Sequence, residues 1–93
     1  MDRKACLDAA VKCVCTDRNA QYGEPEDNFK IIADYWNLYL DIDKDMPITA
    51  QDVAIMMALF KIARMQTGKP KDDNFVDAIG YLACGCEIVG KEV

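Results

Sequence analysis

Residues 49–87 constrain the fold of this chain most, because they predict two successive helices, the first of which is apolar on nearly every side until its last turn. The first helix is predicted near 50–66, and a helix with so few polar positions is usually buried on several sides. Gly68 and Pro70 end it, and a second helix begins at Asp72 or Asp73 and runs to about 89. Because a short link makes two helices antiparallel neighbours, the sequence predicts a C-terminal helical hairpin.

Charged side chains are predicted to meet at the turn of this hairpin. Lys61 and Arg64 lie one turn apart on its first helix, and Asp73, Asp77 and Tyr81 share one face of its second helix. Because an unpaired buried charge is costly, these groups need partners. In one interpretation the four charges neutralise one another, within the chain or across a subunit contact. In the other, the two cations hold a phosphate and the two carboxylates hold Mg²⁺ or a sugar hydroxyl.

The upstream sequence predicts two more helices. Asp2 is a candidate N-cap for a helix near 3–19, and Pro25 suits the first turn of a helix near 25–40. Thr49 and Asp52 resemble a capping box at the start of the hairpin. No segment alternates between apolar and polar residues as a strand would. The chain is therefore predicted to be all-α, a single bundle-like domain of four helices over residues 1–93.

The predicted core follows the apolar stripe of each helix. In the predicted helix near 3–19 the stripe comprises Cys6, Leu7, Ala10, Val11 and Val14. In the helix near 25–40 it comprises Phe29, Ile32, Ala33, Trp36, Tyr39 and Leu40. In the fourth helix of the chain, which runs to about 89, it comprises Phe75, Val76, Ile79, Leu82, Ala83 and Cys86. Gly80 lies on another side of the fourth helix, where the missing side chain lets another part of the chain or a ligand come close.

Composition limits the functions that this domain can have. Its 93 residues are 52% hydrophobic, which is high for so short a chain and predicts that a homo-oligomer buries part of the apolar surface. The net charge of −5 disfavours a nucleic-acid polymer as partner, because phosphate contacts supply that affinity. The chain has no histidine, which excludes Ser–His and Cys–His catalysis and leaves the catalytic residues unknown.

The cysteines and the absence of targeting signals indicate the compartment. The five cysteines form no Cys-x-x-Cys pair, and no signal peptide is visible, so reduced thiols in the cytoplasm are expected. No stretch approaches the length of a membrane span, so no membrane partner is expected.

A series of short motifs resembles, in order and spacing, a family of small phage and prophage proteins of uncharacterised function. The motifs are Arg18-x3-Tyr22-Gly23-x-Pro25-x2-Asn28-Phe29, Asp52-Val53, Lys61-x2-Arg64 and Asp73-Asn74-x2-Asp77-x2-Gly80-Tyr81. The resemblance covers about residues 14–84, and the family carries no function that can be transferred. The last two motifs also resemble phage nucleotide-modification domains. More loosely, the all-helical build resembles MazG-like and dUTPase-like nucleoside-triphosphate pyrophosphohydrolases, in which carboxylates on facing helices hold Mg²⁺.

These resemblances imply a nucleotide site at the charged end of the hairpin. The residues expected to face phosphate are Lys61, Arg64 and Arg18, the residues expected to form the rest of the nucleotide pocket are Tyr22, Asn28 and Tyr81, and the expected Mg²⁺ ligands are Asp73 and Asp77. Arg18, Tyr22 and Asn28 would close the pocket from the preceding loop, in the same subunit or in a neighbouring one. The pyrophosphohydrolases carry a Glu-x-x-Glu pair on one helix and a Glu-x-x-Asp pair on the next, whereas here the third helix offers only Asp52 and the fourth offers Asp73 and Asp77. Glu26 and Asp27 could add ligands only if the second helix brings them to the same place.

The function predicted from the sequence is binding of a phosphate-bearing nucleotide, with Mg²⁺ as the candidate cofactor, in the host cytoplasm if the protein is phage-encoded. The first alternative is a Mg²⁺-dependent nucleoside-triphosphate pyrophosphohydrolase, so the enzyme class is left open. The second alternative is a non-catalytic, oligomeric interaction protein whose charge cluster is structural.

Overall fold

The computed structural model describes residues 1–69 and 71–91, excluding the side chains of residues 18 and 19, and contains helices and loops but no strand within those ranges. The elements are α1 (Arg3–Lys12), a π-helical segment (Cys13–Asp17), α2 (Arg18–Tyr22), α3 (Pro25–Leu40), α4 (Ala50–Met65) and α5 (Asp72–Lys91). The first three follow one another without a break and form one N-terminal arm. Together with α3, α4 and α5 they confirm the predicted all-α, bundle-like fold.

Local signals set the helix starts where the sequence predicts them. The backbone N–H of Ala5 donates to the Asp2 carboxylate at 2.7 Å, and Pro25 occupies the first turn of α3. At the start of α4 the Asp52 N–H donates to the Thr49 hydroxyl at 3.1 Å, and the Thr49 N–H donates to the Asp52 carboxylate at 3.0 Å. This reciprocal pair is a capping box, so Asp52 serves as a helix cap.

The N-terminal arm differs from the regular helix predicted over 3–19. It continues to Tyr22 and contains a π-helical turn at Cys13–Asp17. Each π turn accommodates an extra residue, and apolar periodicity over so short a segment does not reveal such an insertion. The turn contains Val14, whose Cγ1 atom lies 2.7 Å from where a Cβ atom on Gly80 would be. The close approach predicted at Gly80 is therefore confirmed, and the neighbour is another part of the chain.

The core lies where α3 meets the α4–α5 hairpin. The packing of α4 against α5 is the most extensive helix contact, α3 packs mainly on α4, and α1 packs on α5. The central buried cluster comprises Phe29, Ala33, Val53, Ala54, Cys84 and Ile88. Gly85 allows α4 close to α5, because a Cβ atom at this position would lie 3.0 Å from the Cβ of Ala54.

The core side predicted for α5 is largely wrong. Phe75 and Leu82 are each 50% exposed, and Cys86 is also exposed. The residues that α5 buries are Val76, Ala78, Gly80, Cys84, Gly85 and Ile88. Because α5 is apolar on nearly every side, its periodicity does not select one face. Its small residues let the neighbouring helices approach closely, which leaves the bulky residues outside.

The apolar stripes of the N-terminal arm and of α3 are also only partly buried. Ala10, Phe29 and Ala33 lie in the core as predicted. The predicted core residues with large exposed side chains are Leu7, Val11, Tyr39 and Leu40. Within the described ranges, no helix combines the length and hydrophobicity that crossing a bilayer requires.

Candidate functional site

Lys61 and Asp77 form a close ion pair at the charged end of the hairpin. The Nζ atom of Lys61 lies 2.9 Å from the Asp77 carboxylate, and the two side chains are only 15% and 32% exposed. Lys61 projects from α4 and Asp77 from the second turn of α5, so the pair joins the two helices near their turn. The structure thus favours the structural interpretation for this half of the predicted cluster.

The other two predicted charges have different surroundings. Arg64 is exposed, and its Cζ atom lies 4.9 Å from the centroid of the Phe60 ring, a cation–π distance. Asp73 is exposed in the first turn of α5. Neither side chain forms an ion pair with another described residue. The four charges are therefore one ion pair and two side chains that remain accessible to a ligand.

A polar cleft lies at the turn between α4 and α5, and we call it the basic cleft. Its volume is about 340 Å³, and its lining residues are Arg64, Thr67, Gly68, Lys69, Lys71 and Asn74. Gly68 has a φ of +69°, which turns the chain at the end of α4. The three cations form no ion pair within the described part of the chain. In a chain of net charge −5, the basic cleft is a local concentration of positive charge.

Lys69 and Lys71 were not predicted from the sequence as site residues. Both lie in the link between the helices, where helical periodicity assigns no face to a side chain. The sequence does contain one indication of this site. Two lysines stand close together in the link, one turn beyond Arg64, in a chain that is acidic overall.

A second, smaller cleft lies on the inner side of α5. Its volume is about 90 Å³, and its lining residues are Cys13, Val14, Val76, Asp77, Gly80, Tyr81 and Cys84. Small-molecule sites usually measure roughly 300–1,000 Å³, so this cleft is too small for a nucleotide. The Tyr81 ring centroid lies 6.1 Å from that of Phe29, which places Tyr81 at the edge of the core.

Tyr22 and Asn28, two of the remaining predicted pocket residues, lie away from the basic cleft within one chain. Tyr22 is 57% exposed at the end of α2, and among the described residues α2 contacts α3 and the π-helical segment but neither α4 nor α5. Asn28 is half-buried in the first turn of α3, which lies beside the carboxyl-terminal half of α5. The side chain of Arg18 lies outside the described part of the chain. The pocket roles of these three residues stay predictions.

A separate charge cluster lies at the far end of α5. The Nζ atom of Lys91 lies 2.8 Å from Glu26, 3.2 Å from Glu87 and 3.9 Å from Glu24. The hydrogen bond from Lys91 holds the pKa of Glu26 below its ordinary value, and the hydrogen bonds to Glu26 and Glu87 raise the pKa of Lys91. Glu26 is therefore an ion-pair partner that links α3 to α5.

The predicted Mg²⁺ ligands contribute differently to the charged end. Asp77 is paired with Lys61, whereas Asp73 is exposed. Among the described residues, no group of three or more Cys, Asp or Glu side chains is placed to hold a metal ion. Mg²⁺ usually keeps several waters and takes one or two protein carboxylates together with ligand phosphates. A Mg²⁺ role for Asp73 and Asp77 stays a prediction.

Two curated phage proteins are similar to this chain over most of its length. The Gene 55 protein of Mycobacterium phage D29 is 37% identical over 81 residues, covering 87% of this chain and 51% of that protein. The Gene 55 protein of Mycobacterium phage L5 is 35% identical over 75 residues, covering 81% of this chain and 46% of that protein. The chain therefore spans about half the length of these relatives. No solved structure matches the chain.

These similarities confirm the predicted resemblance to phage proteins of uncharacterised function. The resemblance to MazG-like pyrophosphohydrolases finds no support among them. The model of a family described as a domain of unknown function, DUF6378, matches residues 5–89. Since this match covers nearly the whole chain, the protein belongs to the DUF6378 family.

Proposed function

We propose that this domain binds a phosphate-bearing nucleotide in the basic cleft, with the phosphates against Arg64, Lys69 and Lys71. The observation that carries the proposal is that three cations line one cleft and form no ion pair within the described residues. Unpaired cations grouped in a concave site attract anions, and phosphate offers several oxygen acceptors to them. The cleft volume of about 340 Å³ falls in the usual range for small-molecule sites.

The chemistry of the lining residues suggests a role for each. Arg64 presents a planar fork to two phosphate oxygens, and the Phe60 ring beneath its guanidinium limits the orientations of that fork. Lys69 and Lys71 supply mobile point charges from the link. Thr67 and Asn74 supply polar groups for a sugar or base. Asp73, which precedes Asn74 in the first turn of α5, would be the carboxylate available to hold a Mg²⁺ ion that binds with the nucleotide.

The proposal differs from the expectation based on sequence in its choice of cations. Lys61 is paired with Asp77, so its proposed role is to stabilise the hairpin rather than to bind phosphate. Arg64 keeps its predicted role, and Lys69 and Lys71 replace Lys61. Hydrolysis of the nucleotide is not part of the proposal, because the described residues hold no cluster of carboxylates like that of the pyrophosphohydrolases.

The first prediction is that nucleotides bind and that removing a cleft cation weakens the binding. Arg64→Ala and Lys71→Gln should each lower affinity by roughly 10- to 100-fold, because a hydrogen bond to a charged group contributes about 1.5–3 kcal/mol. Isothermal titration of a nucleotide panel with and without Mg²⁺ measures the affinities. Mass spectrometry of the recovered ligand then separates binding from hydrolysis.

Lys44→Gln is the matched control, since Lys44 is also an exposed loop lysine but lies in the α3–α4 connection. Its affinity for the nucleotide should equal that of the unsubstituted protein. Arg64→Ala should change the free energy of unfolding by less than about 0.5 kcal/mol, as is usual for exposed positions. If no nucleotide binds with a Kd below about 1 mM, or if Lys44→Gln weakens binding as much as Lys71→Gln does, the proposal is wrong.

A further inference from the structure

We propose that the outer face of the α4–α5 hairpin binds a second copy of this chain, so that two hairpins form a four-helix bundle. This surface is distinct from the basic cleft. We define the outer face by its exposed large apolar side chains, which are Ile55, Leu59, Ile62, Phe75, Leu82 and Val89. They are between 37% and 57% exposed in the single chain.

The residue spacing on α5 is that of a helix that packs against another helix. Phe75, Leu82 and Val89 repeat every seven residues, and Ile79 and Cys86 lie between them. Apolar residues alternating at spacings of three and four form the seam of a helix pair. Between residues 75 and 86 the one charged side chain is Asp77, which pairs with Lys61. The outward side of α5 is therefore apolar along most of its length.

The outward side of α4 continues the same surface. Ile55, Leu59 and Ile62 follow one another at spacings of four and three, which places them on one side of the helix. An apolar groove of about 300 Å³ joins the two helices, and its lining residues are Gln51, Ile55, Leu82, Gly85, Cys86 and Val89. The face thus combines a groove with prominent side chains such as Leu59. A surface with both features can pair with itself across a two-fold axis.

The surface area of the single chain supports a second copy as the occupant. The chain exposes 6737 Å², whereas a monomeric protein of 10.4 kDa exposes about 5,400 Å². The excess, roughly 1,300 Å², is more than the approximately 800 Å² that each partner contributes to an interface of standard size. The six side chains that define the outer face are all apolar, so they fit a partner that presents an apolar surface of the same kind, which a second copy of this chain does.

The experiment measures the mass of the protein in solution by light scattering during size-exclusion chromatography. The unsubstituted protein should elute with twice its chain mass of 10.4 kDa. Leu82→Glu should raise the dimer dissociation constant by at least about 100-fold, because the two-fold axis places two unpaired carboxylates in one apolar interface. Leu59→Glu tests the same face from α4 and should have the same effect.

Leu38→Glu is the matched control, because Leu38 is 76% exposed on α3 and lies outside the outer face. It should leave the dimer intact, and far-UV circular dichroism should show equal helicity in all variants. A monomeric unsubstituted protein at tens of micromolar would overturn the proposal. So would an assembly that survives both Leu82→Glu and Leu59→Glu, or one that only Leu38→Glu dissociates.

A second measurement uses the unsubstituted protein and two of its own thiols. Cys86 and Cys15 are both exposed in the single chain, but only Cys86 lines the groove of the outer face. At concentrations that favour the dimer, N-ethylmaleimide should modify Cys86 at least about tenfold more slowly than Cys15, and dilution should remove the difference. Equal rates at every concentration would show that the outer face is not covered.

Discussion

Lys61 and Arg64 show that the position of a residue on a helix does not by itself determine which groups its side chain contacts. They lie one turn apart on α4, yet Lys61 is 15% exposed and paired with Asp77, whereas Arg64 is exposed above the Phe60 ring. Helical spacing predicted that both cations would lie at the turn, and the structure places them there. Which of them is paired depends on how α5 packs against α4, and spacing within α4 carries no information about that.

The partly buried Lys61–Asp77 pair should contribute measurably to stability. Lys61→Met keeps the aliphatic part of the side chain but leaves Asp77 without its cation, so the free energy of unfolding should fall by about 1–2 kcal/mol. Urea denaturation measures this change. Lys30→Met is the matched control, because Lys30 and Asp34 form an exposed pair at 3.2 Å with exposures of 71% and 62%. The control should cost at most about 0.5 kcal/mol. Equal losses in the two variants would contradict a structural role for Lys61.

At the scale of the element, the two sides of α5 differ in what they contact. Its inner side presents Gly80 and Gly85 to the π-helical segment and to α4, and its outer side presents Phe75 and Leu82 to solvent. The close approach at Gly80 was predicted from the sequence, but the bulky residues were assigned to the core. The helix starts were predictable because caps such as Thr49 and Asp52 act locally, whereas the buried face of an apolar helix depends on non-local neighbours.

Two glycines of α5 should respond in opposite ways to substitution by alanine. At Gly80 a Cβ atom would lie 2.7 Å from Val14 Cγ1, so Gly80→Ala should lower the free energy of unfolding by about 1–3 kcal/mol. At Gly90 nothing lies within 4 Å of the new Cβ, so Gly90→Ala should raise it by about 0.5–1 kcal/mol. Thermal and urea denaturation of both variants measure the two changes. Stabilisation by Gly80→Ala would mean that the N-terminal arm does not pack there.

At the scale of the whole molecule, α5 carries separate charge clusters near its two ends. Lys61, Asp77 and the basic cleft lie near its start, and Lys91 with its glutamates lies at its end. A helix of 20 residues is about 30 Å long, so the clusters act independently. The bond from Lys91 to Glu26 joins residues 65 positions apart in sequence. A contact at that separation depends on the complete fold and has no local signature.

The Glu26–Lys91 pair should make stability depend on pH in acid. The folded-state pKa of Glu26 is lowered, so its contribution is present above the unfolded pKa of about 4.3 and is lost as pH falls through the lowered folded value. The folded-state pKa of Lys91 is raised, so its contribution is present below about pH 10.4 and is lost only as pH rises beyond that value. Between pH 7 and pH 3 the urea midpoint of the unsubstituted protein should therefore fall more than that of Glu26→Gln.

Asp27→Asn serves as the control for this pH dependence, because Asp27 lies in the same helical turn but forms no ion pair with a described residue. Its decline in urea midpoint should follow that of the unsubstituted protein. If Glu26→Gln declined as steeply as the unsubstituted protein, the pair would not account for the acid sensitivity.

The basic cleft is formed by the turn between α4 and α5, and none of its lining residues belongs to the central buried cluster. Substitutions of the other lining residues therefore leave that cluster unchanged and should have little effect on folding, whereas Gly68 is constrained by its φ of +69°. If the basic cleft binds the proposed nucleotide, related domains with the same helices would diverge in ligand preference at these positions sooner than in architecture. A ligand identified for one family member would then have to be tested again for another.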